Sequence, residues 1–110
     1  MKNKIKNIHF IGIGGSGMSG IAEVMHNLKF NVQGSDLGKS EAIGHLKKLG
    51  IKVFSKHHAK NIKNIDVLVV SAAISGENPE IKEANKQKIP IISRAEMLSE
   101  LMRFKKGIAV

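Results

Sequence analysis

An apolar run, Ile8-His9-Phe10-Ile11, passes directly into Gly12-Ile13-Gly14-Gly15-Ser16-Gly17-Met18-Ser19-Gly20. No other stretch limits the folding of this chain so strongly. The run reads as a β-strand over about Ile8–Ile13. Gly12, Gly14 and Gly17 fit the spacing G-x-G-x-x-G, and Met18, Ile21, Ala22, Met25 and Leu28 then recur at helical period. Strand, tight turn and helix in that order let a backbone approach a pyrophosphate and aim the first N–H groups of the helix at it. A phosphate-bearing ligand is therefore expected. The spacing alone leaves open a dinucleotide such as NAD, a nucleotide sugar, or a turn that only packs strand on helix.

The rest of the chain repeats the alternation. Strands are predicted at about Asn31–Gly34, Ile51–Phe54, Asp66–Val70 and Pro90–Ile92. The run Val67-Leu68-Val69-Val70 is apolar throughout, as suits a central parallel strand covered on both faces. Between the strands lie a helix over Glu41–Leu49, with Ile43, Leu46 and Leu49 inward and Gly50 ending it, and a helix begun by Asn78 as N-cap and Pro79 at its first position. Ser93 and Glu96 form a capping box for a last helix with Ala95, Leu98, Leu101 and Met102 inward, and Gly107-Ile108-Ala109-Val110 looks like the start of another strand. Alternating β and α units predict a Rossmann-like, doubly wound α/β fold: one domain, a five-stranded parallel sheet, order 3-2-1-4-5. The 110 residues suffice for one core and not two.

Composition removes several function classes. The chain has no Cys, so neither disulfides nor thiolate metal sites are available, and no Asp, Glu or His grouping has metal-ligand spacing. The formal net charge is +9, but the lysines are scattered, Trp and Tyr are absent and Phe is scarce, which makes a poor base-stacking platform. Nucleic-acid binding is not expected. Lys2, Lys4 and Lys6 precede an apolar run as in a signal peptide, but glycines break that run early and no A-x-A-like site follows. No stretch reaches the ~18 apolar residues needed to span a membrane. The expected compartment is the cytoplasm, without membrane contact.

In a doubly wound sheet, ligands sit outside the carboxyl ends of the strands near the switch point. The residues following the strands are Gly14-Gly15-Ser16-Gly17, then Ser35 and Asp36, then Lys56 and His57, then Ser71-Ala72-Ala73-Ile74, then Ser93 and Arg94. Asp36 can accept from ribose hydroxyls or simply serve the turn Ser35-Asp36-Leu37-Gly38. His57 is a ligand donor or a loop residue. His58 reads as solvated and His9 as structural. Ser71 has no partnered base that would make it a nucleophile. Arg94 either clamps a phosphate or belongs to the first turn of the last helix. A side chain at Gly14 is expected to block a diphosphate while leaving the fold largely intact.

Taken together, Gly12–Gly20, Gly34-Ser35-Asp36, Ser71-Ala72-Ala73-Ile74, Asn78-Pro79-Glu80 and Arg94-Ala95-Glu96-Met97-Leu98 resemble the N-terminal domain of the Mur ligases over essentially the whole chain. Met18-Ser19-Gly20 and Ser93-Arg94-Ala95 are more similar to the branch that adds L-alanine than to the murein peptide ligases. The resemblance implies a three-domain cytoplasmic enzyme of peptidoglycan synthesis that joins L-alanine to UDP-N-acetylmuramate. Its first domain would hold the UDP part, and the other two would hold ATP, Mg2+ and the amino acid. There, ATP would phosphorylate the muramate carboxylate and the amine of L-alanine would attack the acyl phosphate.

Carried over by resemblance, Gly14, Gly15, Ser16, Gly17 and Met18 cradle the diphosphate. Ser35 and Asp36 line the uridine, and Ser71, Ala72, Ala73 and Ile74 pack near the uracil. His57 and Arg94 complete the rim. One departure matters: in the family the segment matching Gly107–Val110 runs into an ATP-binding loop, and no G-x-x-x-x-G-K-[ST] occurs in these 110 residues. The expectation is a binding module with no catalytic residue, cofactor or metal of its own, inactive when alone.

Overall fold

The computed structural model describes residues 5–71 and 74–109, the last six of these by their backbone only. Five strands form one parallel sheet in the order β3-β2-β1-β4-β5. They are β1 (Asn7–Ile11), β2 (Asn31–Ser35), β3 (Lys52–Phe54), β4 (Val67–Val70) and β5 (Ile91–Ser93). Helices α1 (Met18–Asn27), α2 (Glu41–Lys48) and α3 (Pro79–Lys86) connect them, α4 (Arg94–Ala109) follows β5, and one 3₁₀ turn lies at Ala59–Asn61. The strand order is the one the alternation predicts.

The helix termini follow their local chemistry. Ser40 Oγ accepts from Ile43 N and Asn78 Oδ1 from Glu80 N at 2.8 Å, each satisfying a first-turn donor. Gly50 takes φ +95° immediately after α2, where a side chain would be strained. The Ser93–Glu96 box is reciprocal: Ser93 Oγ accepts from Glu96 N at 3.0 Å and Glu96 Oε1 from Ser93 N at 2.7 Å.

Strand alternation divides the core. Ile8 and Phe10 of β1, Val32 of β2 and Val67 and Val69 of β4 pack with Met18, Ile21, Ala22 and Met25 of α1 and with Met97 and Leu101 of α4. On the opposite face Ile11 and Leu68 meet Ile81 and Ala84 of α3, with Ile62 and Ile65. His9, Gln33 and Ser35 belong to this second face, so it is partly polar. Gly34 lies beside Phe10 in the β1–β2 register. A Cβ on Gly34 would stand 2.6 Å from both Phe10 O and Ile13 Cβ, so the bare strand there lets the Ile13 side chain, fully buried, fold back over β2.

Two expectations for the C-terminal region are corrected. Residues 107–109 continue α4 and are not the start of a strand; Val110 lies outside the described residues. In α4 the buried side chains are Met97 and Leu101, whereas Ala95, Leu98 and Met102 are exposed. The capping box starts the helix at Arg94 in an orientation that turns the 97/101 stripe inward, one position away from much of the stripe read from spacing.

Gly34→Ala should destabilise the chain by about 1–3 kcal/mol, because the methyl meets backbone and a buried β-branched side chain that cannot withdraw. Urea denaturation measures this; unchanged stability would show that Ile13 has room to move.

Candidate functional site

The glycine loop runs from β1 into α1 with nearly every backbone donor assigned. Gly12 N and Ile13 N donate to Ser35 O at 2.7 and 3.1 Å, and Gly15 N donates to Gly12 O at 2.9 Å. Met18 N and Ser19 N both donate to Gly15 O at 3.0 Å. Gly14 N donates to Asp36 Oδ2 at 2.9 Å. Among the described residues, no partner takes the N–H groups of Ser16 and Gly17. Gly17 is the N-cap of α1, no side chain caps it, and the first turn carries no acidic residue. Two donors without a partner therefore lie at the positive end of a helix dipole.

Beside them lies a depression of about 290 Å3, bordered by Gly12, Gly15, Ser16, Gly17, Met18, Ser71 and Arg94. Arg94 reaches it from the start of α4. Its Cζ and Nη1 are 2.9 Å from where a Cβ on Gly17 would stand, so the guanidinium lies against the bare Cα. Arg94 is thus both a first-turn residue of α4 and a cation at the glycine loop. Anion binding is the chemistry this arrangement supports. Met18 borders the depression, but its side chain is 3% exposed and belongs to the core.

The loop glycines have different reasons to be glycine. Gly12 has φ +76° and open space around a Cβ, so backbone conformation requires it. Gly14 has ordinary φ, but a Cβ would stand 2.6 Å from Ile43 Cγ1 and 3.1 Å from Asp36 Oδ2. This corrects the expectation that Gly14 could be enlarged without harm to the fold: its role is the close approach of α2. At Gly17 the neighbour is Arg94.

The remaining rim residues divide into exposed and enclosed. Asp36 Oδ1 accepts from Gly38 N at 2.8 Å, the turn bond expected of Asp, while Oδ2 holds the glycine loop through Gly14. Each oxygen keeps a lone pair that a hydroxyl could use. Ser35 is fully buried; its Oγ lies 2.7 Å from His57 Nδ1 and donates to Glu80 Oε1 at 2.6 Å. Ser71 borders the depression, and Ile74 packs beside the α3-face core. Ala72 and Ala73 lie outside the described residues. His58 is exposed and caps the 3₁₀ turn, its Nδ1 accepting from Lys60 N at 3.0 Å. Among the described residues no group of three His, Asp or Glu could hold a metal ion, and no helix is long and apolar enough to cross a membrane.

Sequence reasoning missed Glu80 as an organising residue. Its carboxylate is fully buried and accepts from His9 Nε2 at 2.8 Å, Ser35 Oγ at 2.6 Å, Asn61 Nδ2 at 2.6 Å and His58 N at 3.1 Å. The signal was present: Glu80 is one turn before Ala84, on the inward stripe of α3. Burial alone would raise its pKa, but the hydrogen bond and, in acid where His9 is protonated, the charge of His9, with the hydrogen bonds from Ser35 and Asn61, outweigh it and hold the carboxyl at about 2.

Residues 7–106 match the family described as "Mur ligase family, catalytic domain". The chain belongs to the Mur ligase family. A UDP-N-acetylmuramate–L-alanine ligase from Neisseria meningitidis serogroup C is 56% identical over 110 residues, covering 100% of this chain and 24% of that protein. Among solved structures, the UDP-N-acetylmuramate–alanine ligase MurC from Thermotoga maritima superposes with a TM-score of 0.88 at 35% identity, over 94% of this chain and 24% of that one. The UDP-N-acetylmuramate:L-alanyl-γ-D-glutamyl-meso-diaminopimelate ligase from Neisseria meningitidis gives a TM-score of 0.80 at 30% identity, over 88% and 31%. This Mur ligase chain spans about a quarter of the length of the curated relatives it matches.

Two outcomes are expected of this site. Asp36→Ala frees the Gly14 and Gly38 donors and should cost about 1–3 kcal/mol of stability, with faster hydrogen exchange at Gly14; unchanged exchange there would remove Asp36 as the loop's anchor. Glu80, with a folded pKa of about 2 against an ordinary 4.5, stabilises the fold fully above the higher value and loses that contribution as pH falls toward the lower one. The loss should be on the order of 3 kcal/mol by linkage. Denaturation at pH 7 and pH 3 should show a smaller difference for Glu80→Gln than for the wild type, and equal differences would mean Glu80 does not carry it.

Proposed function

We propose that this chain is the part of a UDP-N-acetylmuramate–L-alanine ligase that binds the UDP end of UDP-N-acetylmuramate. The observation that carries the reading is the pair of free N–H groups at Ser16 and Gly17, on the uncapped start of α1, with the Arg94 guanidinium against Gly17. A diphosphate offers acceptor oxygens and negative charge to all three. Asp36, at the end of β2, stands where a nucleoside hydroxyl would reach its free lone pairs, and Ser71 and Ile74 follow β4 on the same rim. The name shared by relatives with more than half of their aligned residues identical supports L-alanine as the amino acid added.

In this reading the chain orients the substrate and holds its charge, and the ATP, Mg2+ and L-alanine sites belong to parts of the ligase outside these residues. The chain has no G-x-x-x-x-G-K-[ST] segment to cradle ATP. What it contributes to peptidoglycan synthesis is a fixed UDP anchor from which the muramate carboxylate extends to where phosphate is transferred. The place of work is the cytoplasm.

Titration with UDP, followed by amide NMR, should shift Ser16 and Gly17 most. Arg94→Ala should weaken UDP roughly tenfold or more, the ~1.5–3 kcal/mol of a hydrogen bond to a charged group. Thermal stabilisation by NAD and not by UDP or UDP-N-acetylmuramate would replace this reading with a dinucleotide site.

A further inference from the structure

Below the rim lies a buried polar cluster whose proton positions can be worked out. An ionised carboxylate has only lone pairs to offer, so the single proton of Ser35 is committed to Glu80 Oε1, 2.6 Å away. Toward His57 Nδ1, 2.7 Å on the other side, the Ser35 oxygen can then only accept. His57 Nδ1 must carry a proton. The ring's other nitrogen, Nε2, has no protein partner among the described residues, and the side chain is 18% exposed where that of Glu80 is closed off.

The same carboxylate imposes the opposite arrangement on His9. Asn61 O, which also takes the N–H of Lys63 at 3.2 Å, can only accept, so the Gln33 atom 2.9 Å from it is the amide nitrogen. That nitrogen also lies 2.7 Å from His9 Nδ1, which must therefore accept. His9 then carries its proton on Nε2 and donates it to Glu80 Oε1 at 2.8 Å. One carboxylate thus holds two histidines in opposite tautomers, each fixed by the hydrogen bond its other nitrogen makes.

We infer that Glu80 and Ser35 are positioning residues for the nucleotide site: they hold His57 with Nδ1 protonated and so present Nε2 as the ring atom that meets the bound nucleotide. This rests on the nucleotide reading of the rim. An unconstrained imidazole in water prefers the other tautomer, so the relay reverses the ring's default. Neutral, Nε2 accepts from a hydroxyl or N–H of the ligand; protonated, it donates to a phosphate oxygen. In either state the buried nitrogen keeps its bond to Ser35, so the ring does not have to turn. The groups around it are Glu80 from α3, His9 from β1, and Lys56 and His58 on its own loop.

The test is nitrogen-15 NMR of the ring nitrogens in the 110-residue chain at neutral pH. The wild type should show Nδ1–H at His57 and Nε2–H at His9. Ser35→Ala removes the bridging oxygen but leaves Glu80 three donors, so His57 should revert to Nε2–H while His9 keeps its form, which also reports that the fold persists. UDP should then move the His57 Nε2 resonance in the wild type and bind several-fold more weakly to Ser35→Ala. An Nε2–H His57 in the wild type overturns the relay, and that spectrum needs no variant. Ser16 and Gly17 amides that respond to UDP while His57 Nε2 does not overturn its positioning role. If the tautomers are as expected and UDP moves neither group, the nucleotide reading has failed and the relay itself has not.

Discussion

The carboxylate of Glu80 is the point on which the carboxyl-end side of the sheet depends. It receives donors from β1, β2 and the segment between β3 and β4, and it is itself carried by α3. A charge buried this completely is costly unless every lone pair is used, and here four donors converge on two oxygens. The arrangement has a consequence beyond stability. An apolar residue of similar volume could fill the space, but it could not dictate which nitrogen of His9 or His57 carries the proton, nor hold the 56–61 segment at the sheet end. Among the described residues, no buried side-chain nitrogen or oxygen lacks a partner, which is what a network of this kind requires.

The glycine loop is organised by the same logic of committed donors. Ser35 O takes two N–H groups and Asp36 takes a third, so β2 grips the loop from below through consecutive residues. Helix α2 presses from the side through Ile43, and Gly14 exists to let it. The N–H groups of Ser16 and Gly17 are left without a partner among the described residues. On the proposed reading such a site would be preorganised: the donors do not have to be freed from other bonds before a phosphate arrives. Ser35 joins the two systems, its carbonyl holding the glycine loop and its hydroxyl holding His57.

Elements whose signals are local were legible in the sequence. The strand order followed from β/α alternation, and the starts of α3 and α4 from Asn78-Pro79 and the Ser93–Glu96 box, because caps act within a few residues. The face of α4 was not legible. Leu98 and Met102 fit a helical stripe as well as Met97 and Leu101 do, and the choice depends on how α4 crosses β4 and β5. The continuation of α4 through residues 107–109 defeated a β-branched, glycine-containing segment that read as a strand. Gly14 was legible as a loop glycine, but its reason lies 29 residues away in Ile43, a separation no short-range pattern spans. Of the site, the glycine loop and Arg94 could be named from strand ends, while Glu80 entered only as part of the Asn78-Pro79-Glu80 motif and was given no role, because its partners lie on β1, β2 and the 56–61 segment.

The charge of the chain takes its meaning from this distinction between committed and free groups. A net charge of +9 suggests a surface that attracts polyanions, yet the lysines are dispersed and only one cation, Arg94, lies against the loop glycines among the described residues. Scattered charge raises the encounter rate with any anion and discriminates among none. Discrimination requires groups whose geometry is held from below, and in this molecule those are two backbone donors at the start of α1, a guanidinium at the start of α4 and an imidazole whose tautomer a buried carboxylate decides. All sit at the carboxyl ends of the parallel strands, where the doubly wound sheet opens between β1 and β4. The fold supplies the place, and the hydrogen bonds of Asp36, Ser35 and Glu80 hold the groups around it.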